Sequence, residues 1–379
     1  MWFSESHASN LGKIVIAGSS VTLSEFPLVI TPAIASDITT TQSVAWASPD
    51  TLWVGAGNAS GNLLKVPLAT IGAGKVFEYG QGIDPTSGPV GITPGVNGDL
   101  WITAVNWDEL RRITTDGVIS IQGKYFVGDI DSKRPFSVIA DAKGLWFGEL
   151  NSSSIGRMLW DGTVSHTKIT HDGWPIALTK GHDQLWFVEQ QANKIGMISA
   201  PGSVTEYSIP TRAVRPSGLA RTADGNFWFT ENATNKIGKI DGSGNFLGEY
   251  DLATGAQPNG IATGPDGNLW FTESGLDQIG RLTPGGVLTE FRGLTSGAMP
   301  DAITSGPANA LWFIEDGTGK VGRITLQGVV TEFDAFDPGA WPSTIAAGPD
   351  GNLWLTEPRT GVIRRLLGDV IFANGVETR

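Results

Sequence analysis

The 379-residue chain contains no cysteine, only four histidines and only 17% charged residues. The absence of cysteine excludes disulfide bonds, thiolate metal sites and thiol catalysis, and it is compatible with either side of a membrane. No apolar run is long enough to span a bilayer, so membrane insertion is not expected. These absences leave the compartment of the protein open.

The charged residues are mostly acidic, and the formal net charge is −12. A nucleic-acid-binding protein usually carries a basic face, so nucleic acid is not expected as a partner. A solvated acidic surface is the simplest interpretation of this charge, and a mouth that attracts cations is the alternative. The first residues lack the basic and apolar regions of a signal peptide. They already belong to a repeated motif, which leaves open an upstream segment that was lost, cleaved or never encoded.

A tryptophan motif similar to L-W-F-T-E occurs nine times in the chain. Its tryptophans are Trp2, Trp53, Trp101, Trp146, Trp186, Trp228, Trp270, Trp312 and Trp354. The successive spacings are 51, 48, 45 and 40 residues, followed by four steps of 42. A fixed period in this range indicates a repeat architecture. Most of the prominent residues are therefore expected to have a structural role.

One repeat, from Asn259 to Gly293, contains four short runs that favour strands, separated by turn residues. Pro265-Asp-Gly and Pro284-Gly-Gly have the composition of tight turns, and the run around Trp270 is rich in strand-favouring aromatic residues. Four antiparallel strands, a to d, around a common axis form a β-propeller blade. A β-sandwich would not repeat one motif nine times, and a parallel β-helix would have shorter coils.

We predict an all-β fold with a single β-propeller domain over residues 1–379, built from four-stranded antiparallel blades. Eight copies contain all four strands and begin near Val44, Gly91, Val138, Ala177, Gly218, Gly260, Ala302 and Thr344. Residues 1–30 add strands b, c and d, which makes nine blades the favoured count, although propellers usually have up to about eight. Residues Asn374–Thr378 resemble the beginning of strand a, and we predict that they complete the first blade. Otherwise that blade stays three-stranded, or a partner donates the missing strand.

The repeat pattern P-x-G-I-x-x-G-P-D-G-N-L-W-F-T-E-x-x-x-N-x-I-G-R-I resembles that of the virginiamycin B lyase (streptogramin lyase) family. The best copies are Pro258–Phe291 and Pro216–Tyr250, and the resemblance covers nearly the whole chain. It implies a β-propeller, which has seven blades in the family's enzymes. It also implies a lyase that uses Mg²⁺ and two histidines. Each of those histidines directly follows the proline at the entry to strand a, and one such proline is preceded by glutamate.

Neither histidine nor glutamate occupies these positions in this sequence. The residues after the entry proline are Val90, Phe136, Ile176, Ser217, Asn259, Asp301 and Ser343. The residues before it are Gly88, Arg134, Trp174, Arg215, Gln257, Met299 and Trp341. Elimination near neutral pH needs a group that titrates there, and histidine is the usual choice. The sequence therefore favours a protein that is not an enzyme of this kind.

The last residue of the motif is glutamate in seven of the nine copies, and one such glutamate helps to hold Mg²⁺ in the lyases. A residue repeated so often is expected to bond to neighbouring backbone N–H groups or to the b–c loop of the adjacent blade. Asp301 is the only carboxylate that follows an entry proline. With Asn259, Glu273 and Glu315 it would supply the oxygen ligands that Mg²⁺ or Ca²⁺ prefers, and an ordinary turn aspartate is the alternative.

Other candidate residues lie where the copies differ, because function in a repeat protein is expected there. His171, four residues before Pro175, is a candidate for a displaced catalytic base, with a loop histidine of no chemical role as the alternative. Trp107, Trp174 and Trp341 lie outside the motifs, on the side of the d–a and b–c loops, here called the top face. They are candidates for stacking on a ligand, and the alternative is that they cover blade junctions.

Trp160 also lies outside the motifs, and the sequence gives it no role beyond covering a blade junction. His166 is predicted in an outer strand d, exposed to solvent, and His182 in an a–b turn on the opposite, bottom face. No two histidines have the spacing of metal ligands.

Three functions are compatible with these observations. We predict first a non-enzymatic β-propeller that binds a protein, a small molecule or a carbohydrate through its top face, with oligomer formation left open. The first alternative is a metal-assisted lyase or hydrolase of the streptogramin lyase-like class with relocated catalytic groups. The second alternative is a structural module in a larger assembly, in which another chain completes the open first blade.

Overall fold

The computed structural model describes residues 88–96, 98–114, 133–169, 173–199, 202–336, 341–359 and 361–366 in full, and elsewhere the backbone of individual strands. The chain forms two compact units, one of Met1–Gln81 with Asp369–Arg379 and one of Gly82–Gly368. Within the described residues, no helix is long and apolar enough to cross a membrane. The prediction of a single domain over residues 1–379 stays a prediction.

The second unit is a β-propeller with seven blades, whose strands pair in the order a-b-c-d. Blade 1 contains Pro89–Pro94, Leu100–Ala104, Glu109–Ile113 and Ile119–Phe126; blade 2 contains Pro135–Asp141, Gly144–Glu149, Ser154–Leu159 and Val164–Lys168; blade 3 contains Pro175–Lys180, Leu185–Glu189, Lys194–Ala200 and Ser203–Ser208; blade 4 contains Pro216–Arg221, Phe227–Glu231, Lys236–Ile240 and Phe246–Asp251. Blade 5 contains Pro258–Thr263, Leu269–Glu273, Gln278–Leu282 and Leu288–Phe291; blade 6 contains Pro300–Gly306, Ala310–Glu315, Lys320–Thr325 and Val330–Asp334, with a 3₁₀ turn at Pro307–Asn309; to blade 7 this unit contributes Thr344–Ala347, Leu353–Glu357 and Val362–Leu366.

The motif residues form the core of the propeller. Trp186, Trp228, Trp270, Trp312 and Trp354 have no exposed surface. The ring of Trp186 stacks on Phe227 of the next blade, with ring centroids 4.2 Å apart, so the motif joins blades as well as filling them. A buried tryptophan contributes about 3–5 kcal/mol relative to alanine, which explains why the motif is repeated in every blade.

A threonine hydroxyl links one blade to the next and shows where the ring closes. Thr272 Oγ1 of blade 5 donates to the carbonyl oxygen of Asp301 in blade 6, at 2.7 Å. Thr356 Oγ1 of blade 7 makes the equivalent bond to the carbonyl oxygen of Val90 in blade 1, also at 2.7 Å. Because the seventh blade bonds to the first as the fifth bonds to the sixth, the ring is complete with seven blades.

The prediction of nine blades is therefore wrong. The first two copies of the motif belong to the other unit, which contains two three-stranded sheets. Their strands are Trp2–Glu5, Asn10–Ala17 and Ser20–Pro27, then Thr41–Ser48, Thr51–Ala56 and Leu63–Pro67, and Val76–Tyr79 follows them. A motif specifies one sheet, whereas the number of sheets in a ring depends on packing between blades. The predicted strand at Asn374–Thr378 lies outside the described residues.

Blades 1 and 7, which meet where the ring closes, are filled differently from the blades between them. In blades 2–6 a phenylalanine of strand b lies over a glycine of strand c, as Phe229 lies over Gly238, where an added Cβ would be 2.1 Å from the ring. In blade 7 the paired residues are Leu355 and Arg364. The shorter side chain of leucine leaves space for the arginine, which is buried and bonds to Glu357. Blade 1 has the same exchange, with Ile102 paired to Arg111.

Candidate functional site

Seven residues, one from each blade, form the rim of the ring at its top face, and each directly precedes a buried entry proline. They are Gly88, Arg134, Trp174, Arg215, Gln257, Met299 and Trp341, and all have a φ between 46° and 60°. A left-handed backbone costs a residue other than glycine about 1–2 kcal/mol. The rim conformation must therefore be held in place by its surroundings.

Hydrogen bonds on both sides hold the rim residue Met299. The carboxylate of Asp277 in the preceding blade accepts bonds from the backbone N–H of Met299, at 2.8 Å, and of Gly297, at 2.7 Å. The carbonyl oxygen of Met299 accepts a bond from the N–H of Asp316 in its own blade, at 3.4 Å. Ser153 and Gly319 occupy the positions equivalent to Asp277 in the blades that precede Trp174 and Trp341. These two have neither a carboxylate nor an amide for the same role.

Large apolar side chains project from this rim into solvent. The exposed fractions are 42% for Trp174, 54% for Met299 and 61% for Trp341. The Arg359 guanidinium lies over the ring of Trp341, 4.7 Å from its centroid. Exposed aromatic residues at one mouth are typical of a binding surface. Trp107, the third candidate, is half-buried on the b–c loop of blade 1, with the Arg111 guanidinium 5.1 Å from its ring centroid.

Asn259 and Asp301, which the sequence singled out, meet across the junction of blades 5 and 6. The Asn259 Nδ2 group donates a hydrogen bond to Asp301 Oδ1. Burial removes the carboxylate of Asp301 from water and raises its pKa to about 6, although the bond from Asn259 opposes the shift. The structure therefore brings these two candidates together and places a group that titrates near neutral pH at a position that follows an entry proline.

Asp316 joins this pair, and sequence reasoning missed it. Burial, together with the negative charge of Asp301, raises its pKa to about 7. Its Oδ1 atom is buried without a hydrogen-bond partner. Asp316 is the only acidic residue directly after a motif glutamate in the seven blades, a signal that was visible in the sequence. Near neutral pH, Asp301 is mostly ionised and Asp316 holds a proton for a larger part of the time.

The motif glutamates are buried inside their own blades. Glu149 Oε2 accepts a bond from Ser152 Oγ at 2.6 Å, and Glu315 Oε2 accepts one from Thr318 Oγ1 at 2.5 Å. Glu273 Oε2 accepts a bond from the side-chain amide of Gln278 at 2.7 Å. These bonds to the b–c loop or strand c satisfy one oxygen of each carboxyl group. The donors are side chains of the same blade, not the backbone or the adjacent blade's b–c loop that the sequence predicted.

Glu189 differs from these glutamates. Both of its carboxyl oxygens are buried without a hydrogen-bond partner, and Ala192 stands where blades 2, 4 and 6 have the serine or threonine that bonds to the motif glutamate. Burial and, to a smaller extent, the charge of Glu206 raise the pKa of Glu189 to about 8 against the opposing charge of Lys194. At neutral pH this carboxyl group is mostly protonated.

The described residues do not supply the Mg²⁺ site that the family resemblance implies. Among the residues that the structure describes, no group of three or more His, Cys, Asp or Glu side chains could hold a metal ion. Glu273 and Glu315 are each bonded within their own blades, away from a shared cluster with Asp301. The residues that the structure describes therefore do not fit the metal.

Two of the histidines fall within the described residues. His166 Nδ1 lies 2.7 Å from Glu149 Oε1, and the His166 side chain is 31% exposed, so it is less solvated than its outer strand suggested. His182 Nδ1 lies 2.7 Å from Asp183 Oδ2 in an exposed turn. His171, the candidate for a displaced base, lies outside the described residues, and its role stays a prediction.

Comparisons with known proteins agree with the propeller. The sequence profile of the virginiamycin B lyase family matches residues 1–169, 72–268 and 247–370. A virginiamycin B lyase of Nocardia farcinica is 30% identical over 139 residues, which are 36% of this chain and about half (47%) of that relative. A solved streptogramin B lyase is 31% identical, with 77% of this chain and 97% of that chain covered and a TM-score of 0.72. A catalytically inactive histidine-to-alanine variant of Staphylococcus aureus virginiamycin B lyase, solved with quinupristin, is 32% identical, with coverage of 77% and 98% and a TM-score of 0.71.

Proposed function

The chain belongs to the virginiamycin B lyase family, and we propose that its propeller binds an amphipathic, ring-containing small molecule at the top rim. We propose further that it does so without the metal-dependent chemistry of the lyases in that family. The observation that carries this proposal is the exposure of Trp174, Met299 and Trp341 on one rim.

The rim holds these side chains in solvent at a cost. Each of the three residues has a left-handed backbone, which is unfavourable outside glycine, and each leaves a large apolar side chain exposed. A bound molecule with flat apolar groups would cover this surface and would recover the hydrophobic free energy. Burial of the two indole rings would supply much of the affinity, because aromatic anchors usually dominate a binding surface.

The residue after the entry proline makes the two sides of the ring chemically different. It is apolar in blades 1–3, as Val90, Phe136 and Ile176, and polar in blades 4–7, as Ser217, Asn259, Asp301 and Ser343. A ligand that contacts both sides needs apolar groups on one side and hydrogen-bonding groups on the other. This arrangement favours an amphipathic ligand over a wholly apolar one.

Quinupristin is a suitable first probe, because a related structure contains it. We expect the protein to bind quinupristin in isothermal titration calorimetry. The double variant Trp174→Ala/Trp341→Ala should weaken binding about tenfold or more, since each stacked ring contributes about 0.5–1.5 kcal/mol beyond its buried area. The control is Val287→Ala/Val329→Ala, which removes exposed apolar side chains from bottom-face turns. Absence of binding, or equal losses in both double variants, would contradict the proposal.

A second function, acid–base elimination, is favoured by the Asp301–Asp316 pair. With pKa values of about 6 and 7, one group can act as a base and the other as an acid at the same pH. Asp301 would accept the proton from a carbon next to a carbonyl group while a carbon–carbon double bond forms. The carbon–oxygen bond would break, and Asp316 would donate its proton to the departing oxygen.

Incubation with quinupristin distinguishes the two functions. Elimination opens a ring without changing the molecular mass, whereas hydrolysis adds one water, so chromatography with mass spectrometry identifies each product. We expect binding without conversion, with and without added Mg²⁺. Ring opening that is lost in Asp301→Asn and Asp316→Asn, while both variants still bind quinupristin, would establish the lyase instead.

A further inference from the structure

A small pocket lies on the bottom face, at the junction of blades 1 and 2, away from the rim. Val96, Asp99, Trp101 and Arg112 of blade 1 and Met158 and Trp160 of blade 2 line it, around a volume of about 80 Å³. This volume is small compared with a drug-sized site. It suits a single ring that remains partly in solvent.

Blade 1 contributes the cation of its strand c, Arg112, to the pocket. In blade 4, Lys239 of strand c lies over Trp228 of the same blade, 4.4 Å from its centroid. Blades 2, 5, 6 and 7 place an arginine over their tryptophans in the same way. In blade 1 the equivalent residue, Arg112, donates from Nε to Asp99 Oδ2 at 2.6 Å, and Arg157 and Arg365 also pair with a turn aspartate in blades 2 and 7. The cation therefore forms part of the pocket wall together with a carboxylate.

Trp160 forms the apolar side of the pocket. It stands in the c–d turn of blade 2, where blades 4 and 5 have Gly242 and Pro284. Its Nε1 donates to the carbonyl oxygen of Ala142 at 3.1 Å, which fixes the ring. Its ring centroid is 5.9 Å from that of Trp101, with the two planes tilted by 43°. Trp160 is half-buried, so part of its indole ring remains accessible.

The ligand class follows from the polar residues of the pocket. A free anion would be repelled by Asp99, and a free cation would be repelled by Arg112. A neutral group that both donates and accepts hydrogen bonds suits the pair, because the carboxylate accepts and the guanidinium donates. The Asp99 side chain is 12% exposed and that of Arg112 is 44% exposed, so a ligand can reach both groups from the pocket.

We propose that this pocket binds one neutral sugar ring. The apolar face of the ring would pack on Trp160, and two adjacent hydroxyl groups would bond to Asp99 and Arg112. The shallow pocket and the few contacts imply weak binding, on the order of a millimolar dissociation constant for an isolated sugar. This site is independent of the proposed rim function, which lies on the other face.

The test uses the full chain and a panel of methyl glycosides of glucose, galactose, mannose and N-acetylglucosamine, followed by saturation-transfer NMR. At least one neutral glycoside should bind, and Trp160→Ala and Asp99→Asn should each weaken binding about tenfold or more. Val96→Trp should block the pocket without removing a buried contact, because Val96 is 53% exposed. Val287→Ala, at an exposed turn of blade 5, is the matched control and should leave glycoside binding unchanged.

Several results would overturn the proposal. These are the absence of binding by every glycoside, equal binding by wild type and Val96→Trp, and tighter binding of glucuronic acid or glucosamine than of the neutral sugars. Quinupristin binding to Val96→Trp should equal that of wild type. Loss of glycoside binding in this variant with retained quinupristin binding separates the two sites.

Discussion

Replacement of Arg364 by alanine is expected to lower the free energy of unfolding of the propeller by about 3–5 kcal/mol, because it removes the guanidinium that compensates a buried carboxylate. The Arg364 and Glu357 side chains are 7% and 0% exposed. Urea denaturation followed by tryptophan fluorescence measures this loss. Arg292→Ala is the control, because Arg292 is exposed and its replacement should change stability by about 0.5 kcal/mol or less.

A second variant tests the cause of that loss. Leu355→Phe with Arg364→Gly reproduces the filling of blades 2–6, in which a phenylalanine lies over a glycine. Thr360 stands at the sequence position of Thr318, whose hydroxyl bonds to the motif glutamate of blade 6. The double variant should therefore be more stable than Arg364→Gly alone, by about 1–3 kcal/mol. If the double variant is no more stable than Arg364→Gly, the side chains at positions 355 and 364 do not compensate each other.

Raising the pH from about 4.5 to about 8 is expected to destabilise the propeller, in contrast to proteins whose carboxylates are ion-paired. Burial raises the pKa of Glu189 from 4.5 to about 8 and those of Glu231, Glu273 and Glu315 from 4.5 to about 7. In their protonated form these carboxyl groups contribute fully to stability when the pH is below their pKa in the unfolded chain. The contribution is lost as the pH rises through their pKa in the folded protein. Melting temperatures measured across this range should therefore fall.

Glu189 has the largest expected part in this effect. Glu189→Gln should equal wild type near pH 4.5 and should become more stable than wild type by about 2–4 kcal/mol near pH 8, where the gain stops growing. No hydrogen bond to the carboxyl oxygens is lost, because neither has a partner. Asp334→Asn, at an exposed position, is the matched control and should keep the wild-type pH dependence. A Glu189→Gln variant that loses stability at every pH would contradict this explanation.

The candidate site was only partly predictable. The pairing of Asn259 with Asp301 and the rim positions of Trp174 and Trp341 were predictable, because one blade's register applies to all of them. The role of Asp316 was not, because its raised pKa depends on burial and on the charge of Asp301 in another strand. The metal ligands were predicted from the residue type and from positions near the top-face ends of the strands. The side-chain bonds of Glu273 and Glu315 were not predictable from that pattern.

The sequence alone determined the blade: four strands, the turns between them, a motif tryptophan in strand b and an entry proline that defines the rim. These properties follow from periodicity and turn chemistry within about 42 residues, where contacts are local. The number of blades in the ring followed from tertiary contacts, since Thr356 meets Val90 across most of the chain. The tertiary structure also decided that Asp99, Arg112 and Trp160 line one pocket. Both depend on contacts between blades, which a pattern that repeats within each blade does not specify.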